Sequence, residues 1–222
     1  MTEPLTLAIE SATSCVGCAI GSPSGVLAST FSSRSRRHAE SLAPQIEFLV
    51  GQAGVELGDL DYIAVDVGPG LYTGLRVGIT TARAMAHMLD IPMVAVTSLE
   101  AIAHANRAGA DMVVAIDARR GEVFHSSFST DGGIHALSEP AVGEAGSLDA
   151  GSPSRAVGDG AVVYADALAA GGHHLDVDGT HVPMPDAVLA VALSRLDSAV
   201  SPAEIQPLYL RRPDAVAKWE GA

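Results

Sequence analysis

Asp66-Val67-Gly68-Pro69-Gly70-Leu71-Tyr72-Thr73-Gly74-Leu75-Arg76-Val77-Gly78 decides how this 222-residue chain is read. An apolar run, Tyr62 to Val65, leads into it, and a helical run continues from it to Leu89. A glycine-rich turn between strand and helix can aim backbone amides at a ligand. It can also let the helix come unusually close to another element. The common nucleotide signatures are absent: no Gly-Lys-Ser/Thr follows, and Gly68, Gly70 and Gly74 do not fit Gly-x-Gly-x-x-Gly. Within the helix, Gly74, Gly78, Ala82 and Ala86 recur every four residues and so lie along one side, with Leu75, Ile79, Met85 and Leu89 beside them. A stripe of small residues admits close approach. It fits packing inside the chain and a subunit interface equally well.

Upstream of the turn, Leu5–Ile9, Val16–Ile20 and Val26–Phe31 read as three strands of an antiparallel meander. The period then changes. Leu42, Ile46, Leu49, Val50 and Ala53 share a helical face that starts near His38. Downstream of the helix over Thr73–Leu89, a strand runs to Val96 and Ser98 is expected to cap a third helix through Asn106. The second half opens in the same manner, with strands at Met112–Ile116, Glu122–Phe128 and Ile134–Leu137. Glu139–Asp159 reads as surface loop, Gly158-Asp159-Gly160 starts a helix through Ala170, and Pro185-Asp186 starts another, with Val188, Leu189, Ala192 and Leu196 inward. The element order predicts a duplicated α/β fold, one lobe over 1–109 and the other over 110–222.

Composition narrows the function. The formal net charge is −13, and Lys218 is the sole lysine. Such a chain is a poor solitary binder of nucleic acid, whose phosphates need cationic contacts. Its arginines cluster locally, at Arg34, Arg36 and Arg37, at Arg119 and Arg120, and at Arg211 and Arg212, which suggests contacts with an anion or an acidic partner as much as solvated loops. The two cysteines, Cys15 and Cys18, fall in a strand-like segment where a separation of three puts their side chains on opposite faces, so free thiols are expected rather than a redox pair. No signal peptide or membrane-spanning run is visible, and a cytoplasmic protein is expected.

Two hairpins complete the candidate sites. Glu10-Ser11-Ala12-Thr13-Ser14 reads as an ordinary β-turn, or as a carboxylate and hydroxyls that orient a metal-bound phosphate. Asp117-Ala118-Arg119-Arg120-Gly121-Glu122 matches it in the second half. Its two bulky arginines argue against a phosphate cradle of backbone amides and for side-chain contact with an anion or a partner. The eight histidines, among them His38, His87, His104 and the His173-His174 pair in an expected exposed loop, show no ligand spacing. No Gly-x-Ser-x-Gly elbow is present.

Together these features resemble the TsaB family, also called YeaZ. Leu5-Thr6-Leu7-Ala8-Ile9-Glu10-Ser11-Ala12 is similar to its opening Leu-Ala-Ile-Asp-Thr-Ser, and His38-Ala39-Glu40-Ser41-Leu42 to its His-Ser-Glu-x-Leu helix start. Gly68–Gly78 is similar to its Gly-Pro-Gly-Ser-Phe-Thr-Gly-Leu-Arg-Ile-Gly; Asp117–Val123 and the tail Pro207-Leu208-Tyr209-Leu210-Arg211 also match. The resemblance implies a two-lobed actin-like ATPase fold and a non-catalytic subunit. That subunit pairs with TsaD and, with the ATPase TsaE, supports threonylcarbamoyl transfer to the adenosine beside the tRNA anticodon.

The resemblance also carries expectations for particular residues. The partner would sit on the first two helices: His38, Leu42, Ile46, Leu49, Gly74, Leu75, Gly78, Ala82, Met85 and Ala86. Arg76, Arg119 and Arg120 are candidate anion or partner contacts. Glu10, Ser11 and Thr13 form a degenerate nucleotide site, because Glu10 replaces the usual Asp and Ala12 a Ser or Thr. No cofactor or metal is expected on this chain alone, ATP and metal belonging to the partner subunits. Transfer RNA would be met only through the complex, and the isolated chain would form a homodimer. The alternative reading is an autonomous small-molecule kinase or ATPase of the same fold.

Overall fold

A computed structural model of the chain describes residues 3–33, 38–148 and 155–211. Arg34, Arg36, Arg37, Arg212, Pro213 and Lys218 lie outside the described residues. The first sheet contains β1 (Thr6–Glu10), β2 (Val16–Ser22), β3 (Gly25–Ser32), β4 (Tyr62–Asp66) and β5 (Met93–Val96), in the spatial order β3-β2-β1-β4-β5. The expected meander is present. β1 pairs antiparallel with β2 and parallel with β4, Ala8 lying opposite Ala19 on one side and Ala64 on the other.

All five β1 residues are buried because both faces of the sheet are covered. Leu7 and Ile9 meet α1 (His38–Ala53) and α2 (Tyr72–Leu89) through Leu42, Ile46, Leu49, Leu75 and Ile79. Ala8, Ala19 and Ala64 meet the opposite layer, α3 (Ser98–Ala105) and α6 (Pro185–Leu193), through Ala101, Val188, Leu189 and Ala192. α6 therefore belongs to the first sheet's packing although it falls after residue 110. The alanines on that face let it approach closely.

The second sheet contains β6 (Met112–Arg119), β7 (Glu122–Ser129), β8 (His135–Ala136), β10 (Arg155–Val157) and β11 (His174–Leu175), in the order β8-β7-β6-β10-β11, with β9 (Ala141–Glu144) also paired to β7. Strand for strand this repeats the first sheet. The first three strands run antiparallel, and the next two add in parallel beside the opening strand. The duplication expected from element order is realised in the topology.

Several local expectations are corrected. Glu139–Asp159 is not all loop, since it supplies β9 and β10, whose Ala156 and Val157 are fully buried. These strands are too short to register against their Gly- and Ser-rich surroundings. The helix after Gly158 is two pieces, α4 (Asp159–Val163) and α5 (Ala165–Ala170), broken at Tyr164. α6 ends at Leu193, and Leu196 lies in a following 3₁₀ turn. Thr97 rather than Ser98 is the N-cap of α3. Its hydroxyl accepts from the Glu100 amide (3.1 Å) while the Glu100 carboxylate accepts from the Thr97 amide (2.8 Å), a capping box. His173 is buried, against the expectation of an exposed loop, whereas His174 sits in β11 and is exposed as expected.

Buried polar groups tie the halves together. The Arg155 guanidinium donates to the Asn106 and Ala110 carbonyls and pairs with Asp176 at 2.8 Å. The Asn106 side chain bridges Ile102 and Thr180. Arg195 reaches from beyond α6 to Glu100 (2.6 Å) and to the Ala95 carbonyl (2.7 Å). Burial opposes ionisation of Glu100, but Arg195 and the Thr97 donors outweigh it and hold the carboxyl below its ordinary value. If α6 completes the first core, Leu189→Ala should lose about 2–5 kcal/mol of stability, as a large-to-small change in a filled core does. Urea unfolding checks this, and a loss below 1 kcal/mol would detach α6 from that core.

Candidate functional site

The glycine turn lies on the first hairpin. A Cβ on Gly70 would stand 2.1 Å from the Ala12 carbonyl oxygen, and one on Gly74 would stand 2.1 Å from that of Ser11. One on Gly78 would stand 2.2 Å from Ser11 Oγ. Glycine is required at these positions by contact. At Gly68 it is required by conformation, φ being +102°. The amides of the turn are already used: Leu71 donates to the Ala12 carbonyl at 2.6 Å, and Gly68 to Asp66 Oδ1 at 2.7 Å. Ser11 Oγ donates back to the Gly74 carbonyl at 2.9 Å. The turn is a packing device, and these amides are not available to cradle a phosphate.

The stripe is thereby placed. Gly74, Leu75, Gly78, Ala82 and Ala86 are buried against the chain's own first lobe, as are Leu42, Ile46 and Leu49 of α1. This corrects the expectation that they face a partner, save for Ile46, which also lines the outer groove: the Ser11 and Ala12 carbonyls and the Ser11 hydroxyl, not a second helix, fill the space that the glycines leave. Of the ten expected interface residues, only His38 and Met85 keep partial exposure. His38 Nε2 donates to the Thr13 carbonyl at 2.8 Å, fastening the start of α1 to the same hairpin. The outer side of the helix pair instead forms an apolar groove of about 360 Å³ lined by Ala43, Ile46, Glu47, Val50, Leu57, Thr81 and Met85. Phe48 and Met88 are exposed on the same two helices, 60% and 67% respectively.

Beneath the turn, Glu10 and Asp66 end the adjacent strands β1 and β4, and both are fully buried. Glu10 Oε1 accepts from the Ala12 amide (2.8 Å), and Asp66 Oδ1 accepts from Gly68 and from the Ser98 hydroxyl (2.7 Å). The remaining oxygens, Oε2 and Oδ2, have no partner but each other. Burial lifts the Glu10 carboxyl well above its ordinary range, and the neighbouring Asp66 charge lifts it further. Burial also raises Asp66, against three donors that favour its ionised form. Both carboxyls are thus pushed towards their protonated forms, Glu10 the more strongly. Ser11 and Thr13 are buried with them, so the degenerate nucleotide site is a sealed carboxyl pair.

The second hairpin is built differently. Arg119 and Arg120 both adopt positive φ, 66° and 60°, ahead of Gly121 at 84°. Non-glycine residues seldom hold that conformation. Asp117 accepts from the Arg119 amide (2.7 Å), the Tyr164 hydroxyl (3.0 Å) and the Arg119 guanidinium (2.9 Å). Its own amide donates to Asp159. Burial raises the Asp159 carboxyl above its ordinary value, with Asp117 adding to the effect.

Between the glycine turn and the second hairpin lies a cleft of about 230 Å³. One wall is Gly70, Leu71 and Tyr72, and the other is Asp117–Arg120 with Phe124. The tail crosses it. The Leu208 amide donates to the Val67 carbonyl at 2.7 Å, Tyr209 stacks on Tyr72 with centroids 5.2 Å apart, and Arg211 donates to the Ala118 carbonyl at 2.7 Å and pairs with Glu122. Arg76 donates to the Tyr72 hydroxyl at 3.0 Å and lies over its ring. Sequence reasoning marked the arginines but missed the tyrosine pair, whose members are far apart in the chain. It also missed the Glu10–Asp66 pairing, whose only signal was a carboxylate ending each of two strands.

Cys15 and Cys18 are free and buried, and burial pushes the Cys18 thiol up to about 12. Among the described residues, no three His, Cys, Asp or Glu side chains converge as a metal site would require, and no helix is long and apolar enough to cross a membrane.

Two measurements test this geometry. Gly78→Val should unfold or strongly destabilise the isolated chain, by about 3 kcal/mol or more, because Ser11 and the strand end cannot retreat. A variant as stable as the parent would put the stripe back on the surface. The second concerns Glu10. Above its ordinary value of 4.5 the unfolded carboxyl loses its proton while the folded one keeps it, so stability falls as pH rises through the window up to the folded value. Glu10→Gln should flatten that slope between pH 5 and pH 8 in urea unfolding. An unchanged slope would show that Glu10 does not hold the proton.

The comparisons with known proteins agree with this architecture. The family model described as TsaD, tRNA N6-adenosine threonylcarbamoyltransferase, matches residues 25–159. An uncharacterised protein of Mycobacterium tuberculosis is 38% identical over 181 residues, covering 82% of this chain and 78% of that one. The tRNA threonylcarbamoyladenosine biosynthesis protein TsaB of Bacillus subtilis is 34% identical over 129 residues, 58% of this chain and 56% of the relative. The crystal structure of YeaZ from Pseudomonas aeruginosa superposes with a TM-score of 0.81 at 25% identity, covering 93% of this chain and all of that one. The duplicated sheets form the two-lobed actin-like fold, and with a family match over more than half its length this chain belongs to the TsaB (YeaZ) family of TsaD-type proteins.

Proposed function

We propose that this chain serves tRNA threonylcarbamoyladenosine biosynthesis as a non-catalytic subunit that docks a TsaD-like partner on the outer face of α1 and α2. The observation that carries the reading is the sealed Glu10–Asp66 pair. The position where an actin-like enzyme would present a carboxylate to a metal-bound phosphate holds two neighbouring, fully buried carboxyls covered by the glycine turn. Catalysis, with its ATP and metal, then belongs to the partner and to a TsaE-like ATPase. RNA is brought by the complex, and the cytoplasm is the compartment in which such an assembly works.

The apolar groove between α1 and α2 supports the docking face. Its floor, Ile46 and Met85, is continuous with the core beneath, and its rim carries Ala43, Glu47 and Thr81. An apolar centre with a polar rim is the usual anatomy of a protein–protein interface. The same face serves a homodimer when the partner is absent, since one apolar helix pair can meet its own copy across a twofold axis.

Ala43 is exposed on a helix that tolerates long side chains there. Ala43→Arg should leave the melting temperature unchanged, yet weaken pairing with the TsaD-like subunit about tenfold or more by placing a charge in the groove. Light scattering after size exclusion, on the chain alone and mixed with that subunit, reads both association states. Pairing of Ala43→Arg at parental strength would move the docking face elsewhere. An ATPase activity of the isolated chain that Asp66→Asn abolishes would overturn the non-catalytic role.

A further inference from the structure

The cationic residues of this acidic chain are not scattered. Among the described residues, Arg155 and Arg195 are committed to carboxylates inside the fold and Arg83 and Arg107 lie elsewhere, whereas Arg119, Arg120 and Arg211 line one cleft and Arg76 lies at its edge, against the cleft tyrosine Tyr72. Arg211 is held by Glu122 and the Ala118 carbonyl, and so acts as a fastener. Arg119 is paired with Asp117, but its side chain is 73% exposed, so that pair is solvated and weak. Arg76 donates to the Tyr72 hydroxyl and lies over the Tyr72 ring.

The cleft also presents aromatic surface. Tyr72 and Tyr209 are 44% and 42% exposed although they stack on each other. A tyrosine pair tethered on one side by α2 and on the other by the strapped tail is a rigid platform. Rigid aromatic faces flanked by arginines suit unstacked bases and the phosphates that join them. The hairpin tip adds to this. Arg119 and Arg120 are held in the left-handed region, where asparagine or glycine would be relaxed, and strain retained at an exposed tip points to a use for the side chains.

The geometry points to a direct contact between this cleft and a single-stranded RNA segment, with one base against Tyr72 and Tyr209 and the adjoining phosphates against Arg76, Arg119 and Arg120. The choice of RNA over another anionic ring compound rests on the proposed role in tRNA modification. The site itself does not need the partner. The cleft mouth adjoins the start of α2, so RNA held by an assembly on the α1–α2 face would have this surface within reach. The chain's overall charge opposes RNA elsewhere on its surface, which would confine contact to the cleft.

The experiment is fluorescence anisotropy of a labelled hexa-adenylate RNA titrated with the full chain alone at 50 mM salt, in the absence of any partner, so its outcome is independent of where the partner docks. Saturable binding is expected, with a log–log salt slope of about −1.4 for two neutralised phosphates. Tyr209→Leu and the double variant Arg119→Gln/Arg120→Gln should each weaken it at least fivefold while leaving the melting temperature unchanged. Arg76→Gln gives a second reading away from the hairpin. AMP should compete at least a hundredfold less well than the hexamer, and duplex RNA should not compete. The proposal is overturned by absence of binding, by variants that bind like the parent, or by AMP competing as well as the hexamer, which would make the cleft a mononucleotide pocket.

Discussion

The contact between the glycine turn and the first hairpin governs the rest of the first lobe. Leu71 donates to Ala12, and Gly70 and Gly74 come within a distance of the Ala12 and Ser11 carbonyls that no side chain could share. α2 can therefore begin directly on the end of β1. Its small side is consumed by that approach, so Ala82 and Ala86 continue into the core and Thr80, Ala84 and Met88 are left outward. The same contact closes over Glu10 and Asp66. Two ionised carboxylates could not be buried side by side. Protonation favoured by burial, two donors to Asp66 and one to Glu10 make the arrangement tolerable, and the turn amide of Gly68 is among those donors.

The second lobe repeats the device with different consequences. Gly158 has φ of +108°, close to that of Gly68, and a Cβ there would stand 2.1 Å from the Ala115 carbonyl oxygen; Gly160 lies as tightly on the Asp117 amide. The strand end, the glycine turn and the helix that follows occupy equivalent places. Yet here the hairpin carries Arg119 and Arg120, and the carboxylate stays at the cleft, bonded to Tyr164 and Arg119. One lobe buries two carboxyls side by side, and the other keeps a carboxylate paired with an arginine at the cleft. The duplication therefore supplies one frame with two different electrostatic settings.

Much of this was legible because local signals and tertiary roles coincided. The strand alternation around Leu7 and Ile9, the helical period from Leu42 to Leu49, and the glycine turn each specify an element through its own local pattern. What escaped detection depended on distant residues. β10 is three residues long and owes its place to β6, more than forty residues earlier. α6 was visible as a helix, but nothing in its own sequence says that it covers the alanine face of the first sheet. The Gly/Ala stripe was legible as a close-packing surface and illegible as to its partner, because a carbonyl of the same chain and a helix of another ask for the same absent Cβ. The arginines at 76, 119 and 120 were visible individually. What places Arg76, over Tyr72, beside the cleft that Arg119 and Arg120 line is the tertiary fold, in which the tail brings Tyr209 back onto Tyr72.

That tail decides what the cleft can do. It joins Val67 and Tyr72 of one lobe to Ala118 and Glu122 of the other, while Arg155 and Asn106 tie the halves together behind it. A phosphate cradle of backbone amides between lobes needs those amides free. Here the amides of Leu71 and Gly68 are spent on Ala12 and Asp66, so the cleft offers an anion arginine side chains instead. The geometry is thus fixed by contacts within the chain, and little ordering cost would remain when a partner or ligand meets the outer surfaces. Preorganisation of that kind favours a surface that positions others. It is consistent with a chain that kept the actin-like frame, neutralised the carboxylates at its centre, and turned outward the helix faces and arginines that the frame left over.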